Sequence, residues 1–270
     1  MLLLANAHNL ALFSTEEPHH SSGSEVDILH HIQDSVLVDL PTVYGVNLSI
    51  TKNVLMMWIA AAILAVLLTL AFRKKTTVHH GIGNFFEAIV AYLREEILLP
   101  YLGEKGRPYV PYLLTAFFFI LTCNLLGLVP MGASATGNIS VTVGMALLTL
   151  SMVQISGIRQ HGFWGYLKGI IPPNLPWFVI PIMIPVEIIG MCTKHIALAI
   201  RLFANMTAGH LVALTMLSLI FMFKSYFVAP FPICGVVFVN LLDILISLIQ
   251  AYIFTILSAV FIGASIHQDH

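Results

Sequence analysis

Charged side chains recur at a fixed interval inside one of the two longest apolar stretches of the sequence. Glu187, Lys194 and Arg201 are each seven residues apart. An α-helix has about 3.6 residues per turn, so this interval returns each side chain to nearly the same face. Asn205 follows Arg201 by one further turn and extends the row. The spacing predicts a polar wall along a helix whose surroundings are hydrocarbon, where an ionised group costs at least about 3 kcal/mol.

A second polar row occurs in the last apolar stretch. Its members follow one another at steps of three, four and three residues: Asn240, Asp243, Ser247 and Gln250. These steps place all of them on one side of a helix. Two polar rows on consecutive helices indicate a hydrated path, either between the two helices or between them and a partner.

Arg201 and His210 differ in their acid–base chemistry. A guanidinium stays protonated at every physiological pH, so Arg201 is a fixed positive charge. An imidazole such as that of His210 gains and loses a proton near neutral pH. His210 lies nine residues after Arg201 and points roughly to the opposite side of an ideal helix. The two side chains therefore need not share one environment.

Each of these residues also has a structural interpretation. An arginine near a helix end commonly extends its guanidinium to the lipid headgroups, although mostly apolar sequence runs far to either side of Arg201. Glu187 and Lys194 could form an internal ion pair, and His210 could be a core histidine whose hydrogen bonds are satisfied. The spacing alone leaves these alternatives open.

No residue pattern predicts covalent catalysis, and we do not expect an enzyme. The sequence has no phosphate-binding loop, no dinucleotide-binding glycine motif and no nucleophile elbow. Histidine pairs at 19–20, 30–31 and 79–80 lack the carboxylate or cysteine spacing of a metal site. The net charge is −1, so no nucleic-acid partner is expected. We predict no catalytic residue, no cofactor and no metal.

The composition indicates a polytopic membrane protein. Of the 270 residues, 58% are hydrophobic and 9% are charged, whereas soluble domains have about 25% charged residues. A first span is predicted over 53–72, and the basic cluster that follows at 73–75 marks its cytoplasmic end. The N-terminal segment 1–52 is therefore expected outside, and 53–270 is expected to form a single membrane domain.

The remaining segments complete the prediction of an all-α integral membrane protein. An amphipathic helix over 82–99 is expected to lie in the membrane interface. Two spans of ordinary length follow at 109–131 and 139–158, and their lack of charge suggests scaffold. The segments 176–223 and 227–265 are much longer than one perpendicular span requires. The prediction is three roughly perpendicular spans, one interfacial helix, and a C-terminal hairpin of two long, strongly tilted helices with the C-terminus inside.

Several motifs resemble, in order, subunit a of the F-type ATP synthase membrane sector. The most specific is RLFANMTAGH, which carries the arginine and asparagine of the family signature at Arg201 and Asn205. The resemblance covers about residues 28–270. The other motifs are HHIQDS at 30–35, NLLGLVP at 124–130, ISVTVGMAL at 139–147, PVEIIGMCTKHIALAIRLFANM at 185–206 and DILISLIQAYIFTIL at 243–257.

The resemblance implies a proton path, or in some relatives a sodium path, at the face between this subunit and a rotating ring of c subunits. By similarity, Arg201 faces the carboxylates of the c-subunit ring, and Gln250 lies near it. The expected partners are this ring, the b-subunit peripheral stalk and membrane lipid. The expected location is the inner membrane of a bacterium.

The resemblance also assigns residues to two half-channels. Asn205, His210 and Asp243 are expected to line the half-channel from the outside. Glu187, with Lys194 nearby, is expected to serve the half-channel toward the inside. Arg201 would separate the two paths, so that protons cross only by riding on the ring.

One pair of residues departs from many bacterial relatives. Those relatives carry Glu where this chain has His210, and His where it has Asp243. Mitochondrial relatives carry His and an acidic residue in the same order as this chain. Since an imidazole and a carboxylate are both present on swapped helices, we expect the pair to matter more than the position of either member.

Two other functions would account for charged residues in a membrane. A secondary transporter could bind an anionic substrate at Arg201, but such proteins usually have two related halves and interrupted helices, which this sequence lacks. A structural scaffold could use Arg201 and Asp243 in internal ion pairs. Neither function explains the motifs.

Overall fold

The computed structural model describes residues 36–38, 49–71, 82–129, 134–169, 179–223 and 230–267. All of them belong to one compact unit. Three features of the sequence prediction lie outside the described residues: most of the segment 1–52, the basic cluster at 73–75 and the histidine pairs at 19–20, 30–31 and 79–80.

The described residues are almost entirely helical. A short antiparallel ladder, β1 (Val36–Val38) with β2 (Ile50–Thr51), leads directly into the first helix and was not predicted. The helices are α1 (Lys52–Ala71), α2 (Ile82–Tyr92), α3 (Leu99–Leu102), α4 (Val110–Gly127), α5 (Ile139–Gly169), α6 (Ile180–Phe223) and α7 (Pro230–Ile266). A π-helical stretch, Leu93–Leu98, joins α2 to α3, and 3-10 turns lie at Glu104–Tyr109 and Ala135–Gly137.

The segment from α2 to α3 is amphipathic, as predicted. Leu93, Ile97 and Leu98 are buried, whereas Arg94 and Glu95 are exposed. The apolar side packs into the core and the charged side faces outward, because only one stripe of this helix carries large aliphatic residues. The helical segment continues three residues beyond its predicted end at 99, to Leu102.

Helix α4 packs against both helices of the C-terminal hairpin. Phe117 and Ile120 of α4 belong to one buried cluster with Leu202 of α6 and Phe254 of α7. Close packing of such large side chains fixes helices relative to one another. The predicted scaffold role of this uncharged helix is consistent with its packing.

Helix α5 is broken near its end and is tied there to the end of α7. Gly162 has φ 71° and ψ 166°, a backbone conformation that glycine adopts without a Cβ penalty. Just before the break, His161 Nε2 lies 2.9 Å from the Ile266 carbonyl oxygen, and Ser265 Oγ donates to the Val153 carbonyl at 2.9 Å. The helix therefore continues past the predicted end of the third span at 158.

Helices α6 and α7 form an antiparallel hairpin. Gly235 approaches Met216, Asn205 bonds to Gln250, and the ring of His195 lies 5.2 Å from that of Phe261. Later positions along α7 thus contact earlier positions along α6, which makes the two helices antiparallel. The predicted hairpin of two long helices is confirmed, with 44 and 37 residues in its two arms.

By length and composition, five helical segments within the described ranges are suited to cross a membrane. They are Lys52–Leu70, Glu104–Gly127, Ile139–Leu167, Ile180–Ile220 and Pro230–Ile266. Large side chains such as Trp58, Val66 and Leu70 remain exposed on α1, which is typical of a surface that meets lipid. The prediction of a multi-pass helical membrane protein is confirmed.

A substitution at Gly263 tests the packing of α7 against α3. A Cβ at this position would meet the backbone carbonyl oxygen of Tyr101, which cannot rotate away. We expect Gly263→Ala to destabilise the protein by about 1–3 kcal/mol through overpacking. The measurement is the thermal aggregation midpoint of the detergent-solubilised protein, together with its amount in the membrane.

Gly144→Ala provides the matched control, because a Cβ at Gly144 would meet nothing within 4 Å. This variant is expected to keep the wild-type midpoint. Equal midpoints for both variants would show that α7 does not approach α3 this closely.

Candidate functional site

The charged row of α6 lies on the outer surface of the hairpin. Lys194, Arg201 and Asn205 are exposed and Glu187 is partly buried. A neighbouring side of this part of α6 is buried and carries Leu198, Ala199, Leu202 and Met206. The row predicted from the seven-residue spacing is therefore one continuous face.

The surface around this row is strongly apolar. Large exposed side chains come from both helices of the hairpin: Ile196, Ile200, Leu241, Ile244, Leu245, Leu248 and Ile249. An apolar surface of this kind is typical of a region that lipid or another protein covers. Arg201 forms no salt bridge or hydrogen bond with any residue that the structure describes. Its guanidinium is therefore free to meet a charge on another molecule.

One hydrogen bond joins the two polar rows. Asn205 Nδ2 on α6 donates to Gln250 Oε1 on α7 at 2.9 Å. Gln250 is 3% exposed, and its Nε2 atom is buried without a hydrogen-bond partner among the described residues. The bond holds Asn205 one turn from Arg201 and fixes the local register of the hairpin.

A small pocket lies beside this hydrogen bond. Its lining combines polar side chains from three helices with a few apolar ones: Asn124, Leu202, Asn205, Met206, Asp243, Ile246, Ser247 and Gln250. Asp243, Ser247 and Gln250 of the second predicted row therefore face one space, together with Asn205 of the first row. Such a space, with several donors and acceptors around it, is suited to hold water.

Asp243 packs against α6 at Gly209. A Cβ at this glycine would lie 2.5 Å from Asp243 Oδ2, so only glycine lets the carboxylate approach the helix so closely. The neighbouring His210 interacts electrostatically with Asp243. Its Nε2 atom is buried and has no hydrogen-bond partner among the described residues. The structure brings the predicted acid and imidazole into one locality, without a direct hydrogen bond between them.

A buried polar network at the end of α4 was missed by the sequence analysis. Thr136 Oγ1 donates to Asn124 Oδ1 at 2.7 Å, and Ser134 Oγ lies 3.2 Å from Thr136 Oγ1. All three residues are buried, and Asn124 also lines the pocket. The sequence signal for this network was Asn124, an asparagine inside an otherwise apolar span. It was overlooked because the span contains no charged residue.

Glu187 and Lys194 stand apart from the pocket. Neither forms a salt bridge with a residue that the structure describes. The ammonium of Lys194 instead lies 5.8 Å from the centroid of the Phe261 ring, a distance at which a cation is attracted to an aromatic face. The alternative of an internal ion pair between these two residues is therefore not supported.

The sequence from 54 to 263 matches the model of the family described as ATP synthase A chain. The chain belongs to the ATP synthase A chain family. The matched region includes every residue of the two polar rows and His210. The family resemblance inferred from the motifs is confirmed.

Relatives named ATP synthase subunit a extend this similarity over most of the chain. The protein from Chloroherpeton thalassium is 44% identical over 262 residues, covering 91% of this chain and 78% of the relative. The one from Chlorobium phaeobacteroides is 42% identical over 294 residues, covering 98% of this chain and 87% of the relative. A protein named ATP synthase subunit a 2, from Chlorobium luteolum, is 44% identical, covering 89% of this chain and 76% of the relative.

A substitution at Gly209 tests the contact that positions Asp243. In Gly209→Ala, the new Cβ displaces the Asp243 carboxylate away from α6 and from His210. Because a short side chain can yield, we expect a normal amount of protein in the membrane. Proton conduction is expected to fall about tenfold, since a displacement of the order of 1 Å in a functional group has effects of this size or larger. The measurement is passive proton conduction by membrane vesicles.

Gly235→Ala is the control on the partner helix, where a Cβ would make an ordinary contact of 3.5 Å with Met216. It is expected to conduct like the wild type. If Gly209→Ala conducts equally well, the Asp243 contact does not matter for conduction.

Proposed function

We propose that this chain is the proton-translocating stator subunit of an F-type ATP synthase. It provides two half-channels to the c-subunit ring, and Arg201 separates them. The observation that supports this most strongly is an exposed, permanently charged Arg201 in an apolar surface, one turn from Asn205, which shares a pocket with Asp243. The chain itself makes or breaks no covalent bond, so its role in ATP synthesis is to couple proton flow to rotation.

The outer half-channel is assigned to the pocket and to the residues that connect with it. Ser134 and Thr136 lead to Asn124, which shares the pocket with Asn205 and Asp243. Some buried polar atoms, His210 Nε2 and Gln250 Nε2 among them, have no hydrogen-bond partner among the described residues. We assign these positions to water that completes the hydrogen bonds. Protons would reach the ring through this water, with Asp243 and His210 exchanging them along the way.

Arg201 acts as a fixed charge between the two paths. A guanidinium favours the ionised form of a carboxylate that comes within about 4 to 6 Å. A protonated ring carboxylate that approaches Arg201 would therefore release its proton to the inner path. A hydronium that tried to pass directly would meet the same immobile cation. Each proton is worth about 2.3 kcal/mol per 100 mV, so a leak past Arg201 would waste the gradient.

The inner half-channel is assigned to the part of the charged row that precedes Arg201 in the sequence. Glu187 lies fourteen residues before Arg201, about 21 Å along an ideal helix. Lys194 lies between them on the same face. A partly buried carboxylate at this distance can accept protons that the ring releases and pass them to the inner aqueous phase.

The orientation in the membrane is proposed from the charges that flank the first span. The basic cluster at 73–75 puts the end of α1 inside, so the segment 1–52 is outside and the C-terminus inside. Helix α6 has 44 residues, about 66 Å at 1.5 Å per residue, and must tilt or bend within about 30 Å of hydrocarbon. We assign the protein to a bacterial inner membrane, with the ring on the Arg201 face and the b-subunit stalk and lipid on its other sides.

Removal of the charge at Arg201 tests the separation of the two paths. In Arg201→Ala, the ring carboxylates lose the cation that favours their ionised form, and coupled ATP synthesis is expected to vanish. The measurement is ATP synthesis by energised vesicles that contain the assembled complex. Arg159→Ala is the control, because Arg159 is exposed on α5 away from the pocket. Wild-type synthesis in Arg201→Ala would refute the proposal.

Exchange of the acid and the imidazole tests their pairing. His210 and Asp243 interact across the hairpin, so single variants such as His210→Asp or Asp243→His leave two like groups in one locality. We expect each single variant to synthesise ATP more slowly than the double variant in which both are exchanged. Equal loss in the single and double variants would argue against pairing.

A further inference from the structure

A second histidine of α6 lies on the buried side of the helix and has no part in the proposal above. His195 is six residues before Arg201, about 9 Å along the helix axis, on the side assigned to the inside. It is 4% exposed, close in sequence to the buried residues Leu198 and Ala199. Burial of an imidazole nitrogen without a hydrogen-bond partner costs free energy, whereas a leucine would pack at this position without that cost. The histidine therefore calls for a functional explanation.

The hydrogen bond of His195 fixes its tautomer. Nδ1 lies 2.8 Å from the carbonyl oxygen of Met191. A carbonyl oxygen only accepts hydrogen bonds, so Nδ1 carries the hydrogen. In the neutral ring, Nε2 is then an acceptor with a free lone pair. This atom is fully buried and has no hydrogen-bond partner among the described residues.

The groups around His195 do not satisfy this lone pair. The Phe261 ring of α7 lies 5.2 Å away at an angle of 43°, and the Lys194 ammonium is directed toward the same ring. From α5, Gln154 Nε2 donates to the Met191 sulfur at 3.8 Å, and Tyr166 interacts with Gln154 and Ser265. Polar groups of three helices thus reach this part of the interior, but none of those described donates a hydrogen bond to Nε2.

We propose that His195 binds water through Nε2 and relays protons that leave the ring toward the inside. This inference rests on the function proposed above and adds a residue to its inner half-channel. A hydronium ion in the inner path gives a proton to Nε2 of His195 and becomes water, while the imidazole becomes imidazolium. The imidazolium then gives the same Nε2 proton to the next water toward the inside. Nδ1 keeps its hydrogen throughout and donates it in a hydrogen bond to the Met191 carbonyl oxygen.

His195→Asn separates this role from a structural one. The asparagine amide nitrogen occupies nearly the place of Nδ1 and keeps a donor for the Met191 carbonyl, but no titratable nitrogen remains. The matched control is His267→Asn. His267 Nδ1 also bonds to the carbonyl four residues earlier, that of Gly263, at 3.0 Å, but His267 is exposed at the end of α7.

The experiment uses inverted membrane vesicles that carry the complete ATP synthase, so that the buffer contacts the inner face. ATP-driven proton pumping and passive proton conduction are measured while the buffer is varied from about pH 5 to pH 8, where a histidine relay titrates. Other titratable groups on the elements packed at this end of the chain are unchanged by the substitution: Glu187, Cys192 and Lys194 on α6, Arg159, His161 and Tyr166 on α5, and His267 after α7.

The relay predicts that His195→Asn assembles normally, conducts protons about tenfold more slowly and loses part of the wild-type dependence on buffer pH. His267→Asn keeps wild-type conduction and pH dependence. Wild-type conduction and pH dependence in assembled His195→Asn would overturn the proposal. If His195→Asn does not assemble, His195→Gln is used in the same comparison, with the same two outcomes.

The Arg201→Ala variant distinguishes this inference from the proposed function. If Arg201→Ala is uncoupled while His195→Asn behaves like the wild type, only the His195 relay is wrong. If Arg201→Ala keeps wild-type coupling, the proposed function itself is wrong, whatever His195→Asn does.

Discussion

A permanent positive charge near the middle of a 44-residue apolar helix is the constraint on which the rest of this structure depends. Arg201 cannot escape the cost by losing its proton, so it must meet water or a negative charge. The described part of the chain supplies no such charge within salt-bridge distance. It leaves the guanidinium exposed on an apolar surface, one turn from Asn205, which lines the pocket. In the proposed function, a carboxylate of the c-subunit ring supplies the negative charge.

Contacts between α6 and α7 of the hairpin position the polar residues near Arg201. Gly209 lets Asp243 approach α6, and the bond from Asn205 to Gln250 holds the two polar rows in register. Helix α4 packs on the back of the hairpin through Phe117, which leaves the charged face open. Since the same helices carry the fixed charge, the pocket and the buried His195, a shift of one helix would disturb all three.

The sequence predicted the features that depend on helix periodicity. The common face of Lys194 and Arg201 followed from the seven-residue interval. Asn124 stood out as a polar residue in an apolar span, but its bond with Thr136 could not be predicted, because it depends on how a turn folds back on α4. The burial of His195 depends on which side of α6 packs against Phe261, and spacing along one helix does not contain that information.

The most direct test of the account is a cryo-EM map of the assembled complex at a resolution that shows water. The account predicts two separate files of water, one from the outside through the Asp243 pocket and one from the inside, which end on opposite sides of Arg201. It also predicts a ring carboxylate opposite the guanidinium. A continuous file of water past Arg201, or a guanidinium that extends to the lipid headgroups, would contradict it.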